Sequence, residues 1–146
     1  MKILVPVDGS QNSMDGLKVA IDYAKTKDAK VCLINVVPVI EDVDLEMSAS
    51  ERAKFKESMQ KRADYIIQKA CGDLALENVT AVCKAIVESS SAPDAIVDFA
   101  EREKTDLIII GSRGLSRSSR FHMGSVASKV VRHSPCSVYV VKSPSE

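Results

Sequence analysis

The chain has 146 residues, 45% of them apolar and 27% charged, and its 20 basic side chains balance 20 acidic ones. Such a length suits a single domain over residues 1–146 with a sizeable core, and the composition is that of a folded chain, not a disordered one. Zero net charge excludes a generally basic nucleic-acid coat, and no apolar run reaches the roughly 18–20 residues of a membrane span.

The chain enters an apolar run at once, Ile3-Leu4-Val5-Pro6-Val7, with no signal-peptide core ahead of it. Asp8-Gly9-Ser10 punctuates that strand. From Ser13 to Lys27, Met14, Leu17, Ala20, Ile21 and Ala24 recur at helical spacing. Val31 to Val37 forms a second apolar run, stopped by Pro38. Continuous runs of this kind suit strands covered on both faces, as in parallel sheets.

Residues 39–47 carry Glu41, Asp42, Asp44 and Glu46 and read as an exposed acidic loop. Ser48-x-x-Glu51 is a capping box, and the helix it opens has the stripe Phe55, Met59, Ala63, Ile66, Ile67 and Ala70. Gly72 is the expected stop. Val79 to Val87 reads as a third strand. Pro93 fits the first turn of a helix with the stripe Ile96, Val97 and Ala100. Leu107-Ile108-Ile109-Ile110 is a fourth strand running into Gly111, residues 125–133 a short helix, and Ser137 to Val141 a fifth strand.

Strand and helix therefore alternate from end to end, which calls for a parallel α/β sheet with helices on both faces. Ligands of such sheets sit beyond the carboxyl ends of the strands, at the switch point. The loops at 8–13, 36–47, 87–92 and 111–124 are where chemistry is expected. Cys32, Cys71, Cys83 and Cys136 are far apart in sequence, with no C-x-x-C pair, and read as small reduced thiols in a cytoplasmic protein.

The most informative stretch is Gly111-Ser112-Arg113-Gly114, then nine residues, then Gly124-Ser125. It follows a strand and precedes a helix. Glycines there allow backbone N–H groups to approach phosphate oxygens, and the helix N-terminus adds partial positive charge. Taken alone, the same glycines could serve only to turn the chain. The loop is not a Walker A loop, since no Gly-Lys-Ser/Thr follows, nor a G-x-G-x-x-G dinucleotide loop. Asp8-Gly9-Ser10 also lacks the Ser-Gly-Gly-x-Asp-Ser pattern of N-type pyrophosphatases.

Over essentially its whole length the chain resembles the universal stress proteins. The features that match are Val5-Pro6-Val7-Asp8-Gly9-Ser10, Asp106 to Leu115 with its Gly111-Ser112-Arg113-Gly114 turn, Gly124-Ser125-Val126-Ala127, and His133 to Val141 as the closing strand. The intact G-x2-G-x9-G-[ST] spacing resembles the ATP-binding branch. The resemblance implies an open, doubly wound, Rossmann-like five-stranded sheet in order 3-2-1-4-5 and a homodimer in which the last strands meet. It implies a cytoplasmic nucleotide-dependent switch or sensor in the stress response, binding ATP, or alternatively AMP or ADP, and acting on a protein partner. Carried over residue by residue, Pro6, Val7 and Asp8 border the nucleoside, and the Val36 backbone meets adenine. Gly111, Arg113 and Gly114 border ribose and phosphates, and Gly124, Ser125 and Val126 hold phosphates. Many relatives have a glycine in the third-strand turn, where this chain has Ser89-Ser90-Ser91.

Individual residues keep two readings. Asp8 is a strand-end Asx turn or helix cap as well as a ligand contact. Arg113, Arg117, Arg120 and His122 are solvated charges or, together, polyphosphate donors. Ser116, Ser118 and Ser119 are loop polarity, phosphate contacts or phosphorylation sites. Tyr139 and Val141 make the last strand an apolar edge suited to pairing. Phosphoryl transfer needs a positioned base and usually carboxylate-held Mg²⁺ or Mn²⁺, yet residues 107–142 contain no Asp or Glu. No catalytic residue or metal ligand is assigned. A slow ATPase or autophosphorylating protein, and a nucleotide-independent interaction module, stand as the alternatives. The same stretch holds Arg113, Arg117, Arg120, Lys129, Arg132 and Lys142, a local +6 set against −6 elsewhere.

Overall fold

The computed structural model describes residues 1–39, 46–113 and 123–143. The chain runs β1 (Lys2–Pro6), α1 (Gln11–Lys27), β2 (Lys30–Val37), α2 (Ala49–Leu76), β3 (Ala81–Glu88), α3 (Ala92–Arg102), β4 (Leu107–Gly111), α4 (Ser125–His133), β5 (Ser137–Val141). The strands form one sheet in the order β3-β2-β1-β4-β5, every pairing parallel. Helices cover both faces, as alternating strands and helices require.

Two apolar layers flank the sheet. On one side Leu17 and Ala20 of α1 and Ala63, Ala70 and Leu74 of α2 pack on Ile3, Val5, Val31, Leu33 and Ile109. On the other, Ile96, Phe99 and Ala100 of α3 and Val130 of α4 pack on Leu4, Cys32, Ile34 and Ile108. The inner strands are apolar on successive residues because each residue faces one layer or the other.

The helix ends differ from expectation in an instructive way. Gly72 does not stop α2, which continues to Leu76. A Cβ at Gly72 would meet nothing within 4 Å, so the glycine sits on an open face. Leu74, wholly buried, extends the packing beyond it. The helix ends instead at Asn78, whose φ is 59°, with the Val79 N–H donating to the Leu74 carbonyl at 2.9 Å. This is a Schellman closure, and it draws Val79 out of the third strand. Lys104 (φ 52°) ends α3 the same way, with Thr105 N–H on the Ala100 carbonyl, and Asp28 (φ 53°) ends α1.

The side chains of the edge strand β5 are covered in part. Tyr139 is 42% exposed, but Val141 is 8% exposed and belongs to the core beneath α1. Tyr139 stands edge-on to Tyr23 with ring centroids 6.3 Å apart. The two residues share one face of the strand, and α1 covers its carboxyl end.

Candidate functional site

At the carboxyl ends of the strands, β1 leads to β2 on one side while β4 lies on the other, leaving the crevice expected at a switch point. A cleft of about 460 Å³ opens there, within the roughly 300–1,000 Å³ usual for small-molecule sites. Its apolar wall comes from Ile34, Val36, Ala92, Ile96 and Ile110, and its polar side from Asp8, Ser13, Arg113 and Ser125.

Nine of the ten residues carried over as nucleotide contacts line this cleft. Pro6, Val7 and Asp8 line it from the end of β1, Val36 from β2, Gly111 and Arg113 from β4, and Gly124, Ser125 and Val126 from the start of α4. Gly114 lies outside the described residues, as do Arg117, Arg120, His122, Ser116, Ser118, Ser119 and the acids Glu41, Asp42 and Asp44. Sequence reasoning missed Ile34, Ile96 and Ile110 as cleft residues, because in the sequence they are indistinguishable from core.

Asp8 fulfils its local reading and still borders the cleft. Its Oδ1 accepts the Ser10 N–H at 2.9 Å, an Asx turn, while its own N–H donates to Ser13 Oγ at 3.3 Å. Ser10 Oγ in turn accepts the Ser13 N–H at 3.1 Å and caps α1. Gly9, at φ 87°, makes this turn, and a Cβ there would lie 3.3 Å from Ile66 Cδ1. Asp8 is thus held in place by the turn, and it is the one carboxylate among the described residues lining the cleft.

The start of α4 is built differently. Gly124 is its N-cap, with no side chain to satisfy the first amides. The Gly124 N–H donates to the Ser112 carbonyl at 2.7 Å, and the first intrahelical bond is Ser128 N–H to the Gly124 carbonyl at 2.9 Å. Among the described residues, the amides of Ser125, Val126 and Ala127 therefore receive no side-chain cap of the kind helix starts usually have. All three residues line the cleft. No acidic residue occupies the first turn, so the positive end of the helix dipole is not offset there.

Asn12, unremarked in the sequence, proves to be the brace of the site. It is 3% exposed. Its Oδ1 accepts the Arg113 N–H at 2.6 Å, and its Nδ2 donates to the Val141 carbonyl at 3.2 Å and to Ser143 Oγ at 2.7 Å. One amide thus ties α1 to the segments following β4 and β5. A Cβ on Gly111 would lie 2.6 Å from Asn12 Oδ1 and 2.9 Å from the Asn12 carbonyl oxygen. Gly111 is therefore required by close approach to α1, whatever else it borders. Ser143 Oγ passes the network on to Asp15 Oδ2 at 2.6 Å. That hydrogen bond, with a second from Gln11, holds the Asp15 carboxyl below its usual range against the opposing effect of burial.

A second depression of about 490 Å³ lies at the sheet edge beside β3 and α3. It is lined by Glu88, Asp98 and Glu101 with Arg102. Three carboxylates disfavour an anionic ligand, and it lies away from the switch point, so the cleft at β1 and β4 is the better candidate. Among the described residues no three His, Cys, Asp or Glu side chains form a metal-holding group, and no helix is long and apolar enough to cross a membrane.

Comparison with known proteins agrees with this architecture. The profile of the universal stress protein family matches residues 1–142. A universal stress protein of Methanocaldococcus jannaschii is 36% identical over 143 residues, covering 98% of this chain and 82% of its own. The solved structure of universal stress protein UspA from Lactobacillus plantarum superposes with a TM-score of 0.81 at 25% identity, covering 97% of both chains. A universal stress protein crystallised in complex with cAMP superposes with a TM-score of 0.70 at 25% identity, covering 97% of this chain and 96% of that one. The sheet order, the strand-end cleft and these matches over nearly the full length lead to one conclusion: the chain belongs to the universal stress protein family.

Proposed function

We propose that the cleft binds an adenine nucleotide, with ATP as the working ligand and AMP or ADP as its other forms, and that the protein acts as a nucleotide-dependent switch in the cytoplasmic stress response. The observation that carries this reading is the uncapped start of α4, whose amides at Ser125, Val126 and Ala127 border the cleft opposite an apolar wall. An anion end and a flat apolar end side by side suit a phosphate joined to a base. The relative crystallised with cAMP supports the adenine class.

In this reading the Val36 backbone meets adenine, with Ile34, Ala92 and Ile96 packing on its ring. Asp8, oriented by its own Asx turn, accepts from a ribose hydroxyl. Gly111, Arg113 and Gly114 border the ribose and first phosphate, and the α4 amides with Ser125 hold the phosphate chain. A Mg²⁺ or Mn²⁺ ion would arrive with the polyphosphate, since Asp8 is the sole carboxylate among the described cleft residues. Ligand binding presents a changed surface to a protein partner. A homodimer forms through the free edge of β5, the last strand of the sheet.

The test is to denature the purified protein and identify the released small molecule by mass spectrometry, then to titrate stripped protein with ATP, ADP, AMP and GTP. Adenine nucleotide in near-equimolar amount, or rebinding that favours adenine over guanine, supports the reading. Stripped protein that binds none of the four overturns it.

A further inference from the structure

We propose that Cys32 and Cys83 form a reversible redox pair, closing to an intrachain disulfide when the protein meets an oxidising small-molecule disulfide. The two thiols are 51 positions apart in the chain, but β2 and β3 place them directly opposite one another as register partners. Directly paired residues of neighbouring strands point to the same face, and both thiols indeed belong to the apolar layer under α3. Strand spacing puts their α-carbons about 4.8 Å apart, inside the roughly 4.4–6.8 Å range of disulfides. The β-carbons of such a pair stand wider than the ~3.8 Å a relaxed disulfide prefers, so closure requires β3 to shift slightly. Two features permit that shift. β3 is an edge strand, and the β2–β3 register slips between Val31 and Cys32. A bond made under such strain is readily reduced, which suits a switch better than a structural staple.

The two cysteines are unequal, which orders the steps. Cys32 is 1% exposed, and burial, reinforced by the neighbouring Cys83 thiol, pushes its thiol up to about 12. Cys83 is partly exposed on the edge strand, and its S–H points at Glu103 Oε1, 3.9 Å away. Glu103 is paired through Oε2 with Lys2 Nζ at 3.3 Å. Cys83 is therefore the entering nucleophile. Its sulfur, giving its proton to Glu103, attacks one sulfur of the small disulfide to form a mixed disulfide. One small thiolate leaves and takes up that proton. The Cys32 sulfur then attacks the Cys83 sulfur, and the second small thiolate departs with the Cys32 proton. The protein has lost two electrons and two protons, and the small disulfide has become two thiols.

The experiment exposes the full-length protein to oxidised glutathione and reads its mass intact and after non-reducing trypsin digestion. Trypsin leaves Cys71 and Cys83 on one peptide, from Ala70 to Lys84, so the digest uses Cys71→Ser protein. The expected result is a monomer lighter by about 2 Da, a linked peptide joining Cys32 to Cys83, and full reversal by dithiothreitol. Cys83→Ser abolishes the loss, Cys32→Ser arrests the reaction at the glutathione adduct on Cys83, and Cys136→Ser changes nothing. The inference is overturned if wild-type protein stops at a stable glutathione adduct, forms only intermolecular or Cys71- or Cys136-linked disulfides, or stays reduced. The wild-type mass loss establishes an intrachain disulfide and the Cys71→Ser digest establishes its partners, so neither reading depends on a Cys32 or Cys83 variant folding.

Discussion

Of the four helices among the described residues, three begin closed and one begins open. Ser10, Ser48 and Ser91 each turn a hydroxyl back onto an amide of the first turn, at Ser13, Glu51 and Asp94 respectively. Glu51 and Asp94 add negative charge where α2 and α3 begin. At α4 a glycine stands in the capping position, with neither hydroxyl nor acid. The capped starts of α1 and α3 reach the cleft only through Ser13 and Ala92, whereas Gly124, Ser125, Val126 and Ala127 of α4 all line it; there the chain forgoes a hydroxyl cap worth roughly a few tenths of a kcal/mol over glycine. Closed starts secure the fold, and the open one leaves donors for a ligand.

The largest effect is expected from closing the open start. Gly124 has φ −59° and ψ 156°, angles any residue adopts, so Gly124→Asp supplies the missing cap and a negative charge together. Adenine-nucleotide affinity should fall about a hundredfold or more, close to 3 kcal/mol, while thermal stability holds or rises by a few tenths of a kcal/mol. Calorimetric titration and thermal melts read both. Unchanged affinity would break the contrast between the helix starts.

Next in size is the brace behind the site. Gly111→Ala forces a methyl against Asn12 and should cost about 1–3 kcal/mol in urea unfolding. Asn12→Ala removes the hydrogen bonds to the Arg113 N–H, the Val141 carbonyl and Ser143 Oγ and should cost a similar ~1–3 kcal/mol. In the double variant the clash with the Asn12 amide is relieved while that with the Asn12 carbonyl oxygen stays, so the losses should sum to somewhat less than additivity. Strict additivity would mean the two residues do not press on each other.

Opening a closed start should have a smaller and purely structural effect. Ser48→Ala removes the hydroxyl on the Glu51 amide and should cost about 1 kcal/mol of stability. Nucleotide affinity should not move, because Ser48 is not among the residues of the cleft. A matching loss of affinity would show that the closed starts also serve the ligand.

The smallest effect concerns acid. The Asp15 carboxyl is held low in the folded state, chiefly by the Ser143 hydroxyl, so its contribution is present above the unfolded value of about 3.9 and fades as pH falls through the lower folded one. Ser143→Ala should therefore destabilise the protein at neutral pH by more than it does near pH 3, as melts across pH would record. A gap independent of pH would assign the Ser143 contribution to Asn12 alone.

Much of this was legible in the sequence because it is local. Ser48-x-x-Glu51 announced a cap, Pro93 a helix start, and unbroken apolar runs announced strands covered on both sides. The cleft was legible in part because strand ends in a parallel sheet converge, which brought Asp8, Val36, Gly111 and Gly124 together from distant positions. What escaped depended on partners distant in the chain or on tertiary packing. Nothing around Asn12 hints at hydrogen bonds to Val141 and Ser143, well over a hundred positions away. Gly72 looked like a helix end, but burial of Leu74 outweighs the roughly 1 kcal/mol a helical glycine costs, and Asn78 takes the left-handed turn instead. Cys32 and Cys83 looked like separate thiols until strand register set them opposite each other.

The claim that the open start of α4 holds the phosphates is tested most directly by following the backbone amides in a ¹H–¹⁵N titration with AMP and ATP. The account predicts the largest downfield proton shifts at Ser125, Val126 and Ala127, saturating with the binding curve and absent from Gly124→Asp. Shifts that leave those three amides in place while others move would contradict it.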